Sequence, residues 1–272
     1  MINKLKIISL IITLMAMMLI SVASPPDAAS AQANKPTPIH LKIDKYSILY
    51  TKPRAPFLDG NNRLLIPLRS IQDLMGGAVS YDPQSKTAIV SWFDHTFKLT
   101  IGSYNAYVDG SLVQMDTKPA LIQGAMFLPM RLFLDQTDLS YTWNQKKSLL
   151  HLTDKRIVKG EVFDMFAGND SADVKNEHAF DLLSYEVVQK NNSAALSINI
   201  KNSSGAKIEK GKSDIHPLIA FSNRGGFSTD SYSRPLNPPL QAVNKDETIT
   251  FTQKIPPFTN VDYMISVGRE LN

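Results

Sequence analysis

The chain has 272 residues and a 43% hydrophobic composition, enough to bury one or two ordinary cores. Its formal charge of +4 drops to +3 without the two lysines and one aspartate of the N-terminal leader. With no Lys/Arg cluster among aromatics, that small surplus gives no argument for nucleic acid, and no nucleic-acid partner is expected. No cysteine occurs, so disulfides, thiolate metal sites, cysteine nucleophiles and a lipoprotein anchor are excluded as well.

Residues 1–31 read as a secretory signal peptide. Lys4 and Lys6 form the positive start, residues 7–20 the apolar stretch, and Ala29-Ser30-Ala31 a small-x-small cleavage site. An uncleaved anchor is the alternative, although residues 7–23 are at the short end for a membrane span. The expected location is secreted or cell surface, with membrane attachment only if the leader is retained. An exported chain without disulfides fits bacterial surface proteins better than small eukaryotic secreted domains. Residues 32–37 read as a solvated linker.

The stretch 64–92 then occurs twice at a constant offset of 62 residues. Pro67-Leu68-Arg69 returns as Pro129-Met130-Arg131, Asp73 as Asp135, Tyr81 as Trp143, Asp82 as Asn144 and Val90 as Leu152. Each copy reads as strand, helix and hairpin. Leu64-Leu65-Ile66 and Met126-Phe127-Leu128 suit buried strands. Proline follows where a helix begins, because its missing N–H has no partner there in any case. Leu68, Ile71, Leu74 and Met75 share a helical face, as do Met130, Phe133 and Leu134. Gly76-Gly77 supplies a left-handed end to the first helix; Thr137-Asp138 stands at that place in the second. Turns at 82–86 and 144–147 then return strands over 87–92 and 148–152.

This pattern resembles the copper amine oxidase N-terminal domain, often called the stalk domain. Val108-Asp109-Gly110 and residues 39–44 are similar to that family's turn and opening strand. The resemblance covers residues 38–154 and implies an α+β unit, an antiparallel sheet curled around short helices, of bacterial secreted and cell-surface proteins. It does not carry amine oxidase chemistry. No tyrosine follows an asparagine to form the quinone, and His40, His95, His151, His178 and His216 contain no His-x-His pair. No cofactor or metal is expected.

Residues 155–272 change character to short alternating runs. Leu196, Ile198 and Ile200, then Ile249 and Phe251, then Tyr263, Ile265 and Val267 alternate with polar or smaller neighbours. The run 182–189 joins 194–201 as a hairpin, and Asn202-Ser203-Ser204-Gly205 closes it. Period two with frequent turns predicts an all-β sandwich domain of generic immunoglobulin-like type.

Several groups are candidates for contacts. Arg69 and Arg131 sit in first helical turns, where the dipole disfavours a cation; Asp73 and Asp135 follow four residues later on the same face. They read as structural ties from helix to sheet, with paired anion sites as the functional alternative. Tyr81, Trp92 and Trp143 suit either a sugar-stacking platform or half-buried sheet positions. The longest irregular stretch, 222–240, carries Arg224, Phe227, Tyr232 and Arg234, a set suited to protein or glycan contacts or to a solvated loop. Asp164, Asp170 and Asp173 do not have calcium-loop spacing and read as a fortuitous acidic loop.

No Gly-x-Ser-x-Gly elbow, His-Glu-x-x-His motif or phosphate-binding glycine loop is present. The expected function is therefore a non-catalytic envelope module contacting cell wall polymer, surface glycan or an envelope protein. The alternative is an extracellular hydrolase with a dispersed active site in the C-terminal half, where His178 and His216 are the only histidines. A sensing or inhibitory partner of another protein is a third possibility.

Overall fold

The computed structural model describes residues 39–51, 54–159, 161–190, 193–221, 226–228, 239–255 and 261–272. The expected leader and linker lie outside these residues. The N-terminal part opens with β1 (His40–Ile43), β2 (Tyr46–Tyr50) and β3 (Phe57–Leu58). A first strand–helix–hairpin run follows: β4 (Leu64–Pro67), α1 (Leu68–Met75), β5 (Ala78–Asp82) and β6 (Thr87–Trp92). The chain continues through β7 (His95–Thr100), β8 (Asn105–Val108), β9 (Ser111–Gln114) and β10 (Ala120–Ile122). A second run has the same element order: β11 (Ala125–Pro129), α2 (Met130–Gln136), β12 (Tyr141–Asn144) and β13 (Leu149–Leu152).

Both helices begin directly after a proline in extended conformation, Pro67 at φ −60° and Pro129 at φ −62°. On α1 the apolar face Leu68, Ile71, Leu74 and Met75 is buried, as its spacing requires. Gly76 ends it in the left-handed region at φ 70°. The end of α2 is solved differently. Thr137 stays extended, and its hydroxyl and N–H both donate to the Phe133 carbonyl at 2.8 and 3.0 Å. The buried residues of α2 are Met130, Leu132 and Phe133, with the expected Leu134 only partly covered.

Strands β4 and β11 pair antiparallel, Leu65 with Pro129, Ile66 with Leu128 and Pro67 with Phe127. Ile66 thus faces the residue 62 positions further on, and its neighbours exchange places around it. The pairing has a local twofold axis through the Ile66–Leu128 pair, and each helix packs on the other run's strand, α1 on β11 and α2 on β4. The hairpins break this symmetry. β5 and β6 continue into a five-stranded meander ending at β9, whereas β13 lies parallel to β1. The sheet of this part is therefore not wholly antiparallel, because β1 enters alongside β13 instead of folding back on it.

The C-terminal part begins with a 3-10 turn (Lys155–Ile157) and α3 (Glu161–Asn169), then β14 (Val174–Asn176), β15 (Phe180–Lys190) and β16 (Ser193–Asn202). It ends with β17 (Ser213–Phe221), β18 (Gly226–Ser228), β19 (Thr248–Ile255) and β20 (Val261–Leu271). The all-β expectation for residues 155–272 is corrected by α3, whose Val162, Phe163 and Phe166 fall on one helical face and enter the N-terminal core. Phe163 and Phe166 both pack on Tyr46 of β2, ring centroids 4.8 and 5.3 Å away.

The sheet also crosses residue 154. Strand β20 pairs antiparallel with β2, Ile48 opposite Ile265, within the order β12-β13-β1-β2-β20-β17-β18. Residues Pro36–Asn272 form one compact unit. Alternation in this central sheet sends side chains to both faces. Ile48, Tyr50, Ile265 and Val267 join the core beneath α1 and α2. Leu49, Met264 and Ile215 point the other way, onto Leu196, Ile198 and Ile200 of the three-stranded sheet β15-β16-β19. Two sheets do pack face to face as in a sandwich, but β2 supplies part of the second layer.

Arg269 on β20 is fully buried and held by carboxylates. Its Nε donates to Asp214 at 2.8 Å and its Nη2 to Asp170 at 2.7 Å, tying the residue after α3 to β17 and β20. Asp173 accepts from the Asn272 side chain at 2.7 Å, and Asp164 is exposed on α3. Two of the three aspartates of the acidic loop are thus anchors for the chain's last strand.

Candidate surface clefts

The first turn of α1, the end of β5 and the β10–β11 hairpin leave an opening between them. This cleft, of about 710 Å³, brings together Arg69 and Asp73 of α1, Tyr81 of β5, and Gln123, Gly124 and Met126 of the hairpin. Tyr50 of β2 and Tyr263 of β20 close one side, ring centroids 6.3 Å apart. The Tyr50 hydroxyl lies 2.6 Å from the buried Ser70 hydroxyl, and burial pushes the Tyr50 phenol well above its ordinary range. Tyr185 of β15, also raised by burial to about 12, donates to the Tyr50 carbonyl at 2.8 Å. The wall is therefore fixed by strands from both parts of the chain, while Tyr81 stays 40% exposed.

A smaller cleft, of about 310 Å³, lies at the second helix. Arg131, Asp135, Tyr141 and Trp143 line it, with Asn62, Arg63 and Leu64 from the loop and strand leading into β4. Trp143 is 39% exposed. Asp116, after β9, stands between two guanidiniums: its Oδ2 is 2.8 Å from Arg63 Nε and 3.6 Å from Arg131 Nε. The carboxylate that Arg131 reaches is thus Asp116 from a distant loop, rather than the expected Asp135 one turn along its helix. Sequence reading missed Arg63 and Asp116 because they are 53 residues apart and belong to no local pattern.

Trp92 is removed from any stacking platform. It is buried, its Nε1–H donates to the Met75 carbonyl at 2.8 Å, and its ring packs edge-on to Phe133 at 5.9 Å. Tyr81 and Trp143 remain exposed but line separate clefts. In the stretch 222–240, Phe227 lies on the short strand β18, opposite Ala220 of β17. Arg224, Tyr232 and Arg234 lie outside the described residues. His178 is exposed beside His151, ring centroids 6.1 Å apart, and His216 lies on β17. Desolvation lowers both His151 and His178, with the nearby Lys42 charge adding to it.

Chemically the two clefts are alike. Each offers guanidinium donors, carboxylate acceptors, side-chain amides and at least one exposed aromatic residue, and the fixed charges in each balance. That mixture suits a neutral, hydroxyl-rich ligand with an apolar ring face better than a polyanion, which would gain no net attraction.

No curated protein matches the chain, and no solved structure does. Residues 43–152, which carry α1, α2 and nearly all of the two clefts, match the family model of the copper amine oxidase N-terminal domain.

Proposed function

We propose that this chain is an exported, non-catalytic module of the bacterial cell envelope that holds wall or surface glycan in its clefts. The two strand–helix–hairpin runs are, on this reading, copies of one ancestral unit, and residues 1–31 take the protein to the secreted or cell-surface compartment. The observation that carries the reading is the larger cleft. It sets an exposed tyrosine ring, Tyr81, beside Arg69, Asp73 and the Gln123–Gly124 turn, against a rigid wall of Tyr50 and Tyr263. Flat rings cover the apolar face of a pyranose, and the surrounding donors and acceptors match its hydroxyls. The family match supports a module that carries no reaction of its own.

The test is co-sedimentation of the mature chain with purified peptidoglycan, before and after removal of accessory wall polymers. Retention on the bare glycan, weakened in Tyr81→Ala and kept in Tyr81→Phe, is the expected result. Equal retention of wild type and Tyr81→Ala would overturn the assignment of the cleft. Retention only while accessory anionic polymers are present would overturn the choice of a neutral glycan.

A further inference from the structure

We infer that the protein is bivalent: the smaller cleft is a second site for the same pyranose polymer, related to the larger one by the twofold axis at Ile66–Leu128. This rests on the glycan reading of the larger cleft. The correspondence is positional, not a general likeness. At the constant offset of 62, Arg131 replaces Arg69, Asp135 replaces Asp73 and Trp143 replaces Tyr81, and all six line a cleft. The hairpin side obeys the same offset in reverse. Gly124 and Met126 line the larger cleft, and Asn62 and Leu64 line the smaller.

The reversal is what a swap of partners around a twofold axis requires. Each run gives its helix and β-hairpin to one cleft and its leading loop and strand to the other, so neither cleft belongs to one run alone. The β4–β11 register that builds this exchange is fixed by backbone pairing deep in the core. One ligand class therefore meets equivalent donors, acceptors and a flat ring twice on one chain.

The clefts are not identical, and the differences set their ranks. Tyr141 replaces Val79 and Arg63 replaces Ala125 in the smaller cleft, which adds a second ring and a second guanidinium but shortens the space available. The smaller cleft accordingly takes a shorter stretch of the polymer with an indole under it.

Linking two weak sites on one rigid body raises retention on a repeating polymer by roughly 10²-fold or more over either alone. The experiment titrates the full mature chain calorimetrically with soluble glycan strands released from peptidoglycan, beside sedimentation on the intact wall. The expected stoichiometry is two, with Trp143 fluorescence shifting on saturation. Trp143→Ala reduces the stoichiometry to one and loosens wall retention roughly 10²-fold or more, while Trp143→Tyr restores both. Tyr81→Ala removes the other site and leaves the Trp143 response in place. Circular dichroism of the alanine variants should match wild type, since neither residue belongs to a buried core cluster.

A stoichiometry of one in wild type, unchanged by Trp143→Ala, would overturn bivalency and leave the larger cleft standing. Absence of binding by wild type would overturn the glycan reading together with this one.

Discussion

Ile66 and Leu128 are paired across β4 and β11, and both side chains are fully buried. The two stand 62 positions apart in the sequence, the offset at which the Pro-x-Arg stretch recurs. Opposed side chains at such a position lie within contact distance and cannot be altered independently. Ile66→Ala and Leu128→Ala should each cost about 2–5 kcal/mol. The double variant should depart from the sum by at least about 0.5 kcal/mol. Urea denaturation of the four proteins checks this; strict additivity would mean that the two residues do not share one packing site.

The two glycines after α1 should behave differently when replaced by alanine. Gly76 is left-handed at φ 70°, with only Lys159 Cβ near, 3.8 Å from an added methyl. Gly76→Ala should therefore cost about 1 kcal/mol, from backbone strain. At Gly77 a methyl would sit 2.5 Å from Ile71 Cγ2 and 3.3 Å from Trp92 Cδ1. Gly77→Ala should cost about 1–3 kcal/mol and blue- or red-shift Trp92 emission, because the buried indole must move. Thermal melts with fluorescence distinguish the two.

Arg269 closes the fold at the last strand. Arg269→Met strands Asp170 and Asp214 as charges without their cation and should cost about 3–5 kcal/mol. Arg269→Lys keeps the charge but loses the planar fork that spans both carboxylates, and should fall between wild type and Arg269→Met. Chemical denaturation measures the series. A neutral Arg269→Met would show that the network does not tie α3 to β20.

Asp154 carries a pH dependence with a definite sign. Its carboxylate accepts from the Arg156 guanidinium and from the Arg156 N–H, which holds it down at about 2. A carboxyl depressed in the folded state stabilises above its unfolded value, roughly 3.9, and that contribution is lost as pH falls through about 2. Asp154→Asn keeps a side chain able to cap the 3-10 turn but not the ion pair. The variant should be about 1 kcal/mol less stable at neutral pH and should lack this residue's share of the slope between about pH 4 and 2. Urea midpoints across that window test it.

Only part of the candidate site could be read in one dimension. Arg69, Asp73 and Tyr81 stand out as a spaced set, and so do Arg131, Asp135 and Trp143, since each set lies on one helix and the strand after it. Their other walls come from 121–126 and 58–64, which reach them only through the exchange of strands. Trp92 was indistinguishable from Trp143 by composition. Its burial follows the alternation along β6, which sets Trp92 on the buried face with Ala88 and Val90, whereas β12, which carries Trp143, is exposed along its whole length because nothing among the described residues packs over it.

By itself the sequence determined the local elements: two prolines that start helices, a glycine that ends one, and period-two runs that become β16, β19 and β20. These depend on neighbours a few residues away, through backbone dihedrals and the alternation of side chains. Tertiary structure alone decided that β20 returns to lie beside β2, that α3 closes the first core, and that the two runs trade strands to build two clefts. Such pairings join residues tens to hundreds of positions apart. Their energy comes from apolar surface shared between faces that are each compatible, in sequence, with many partners.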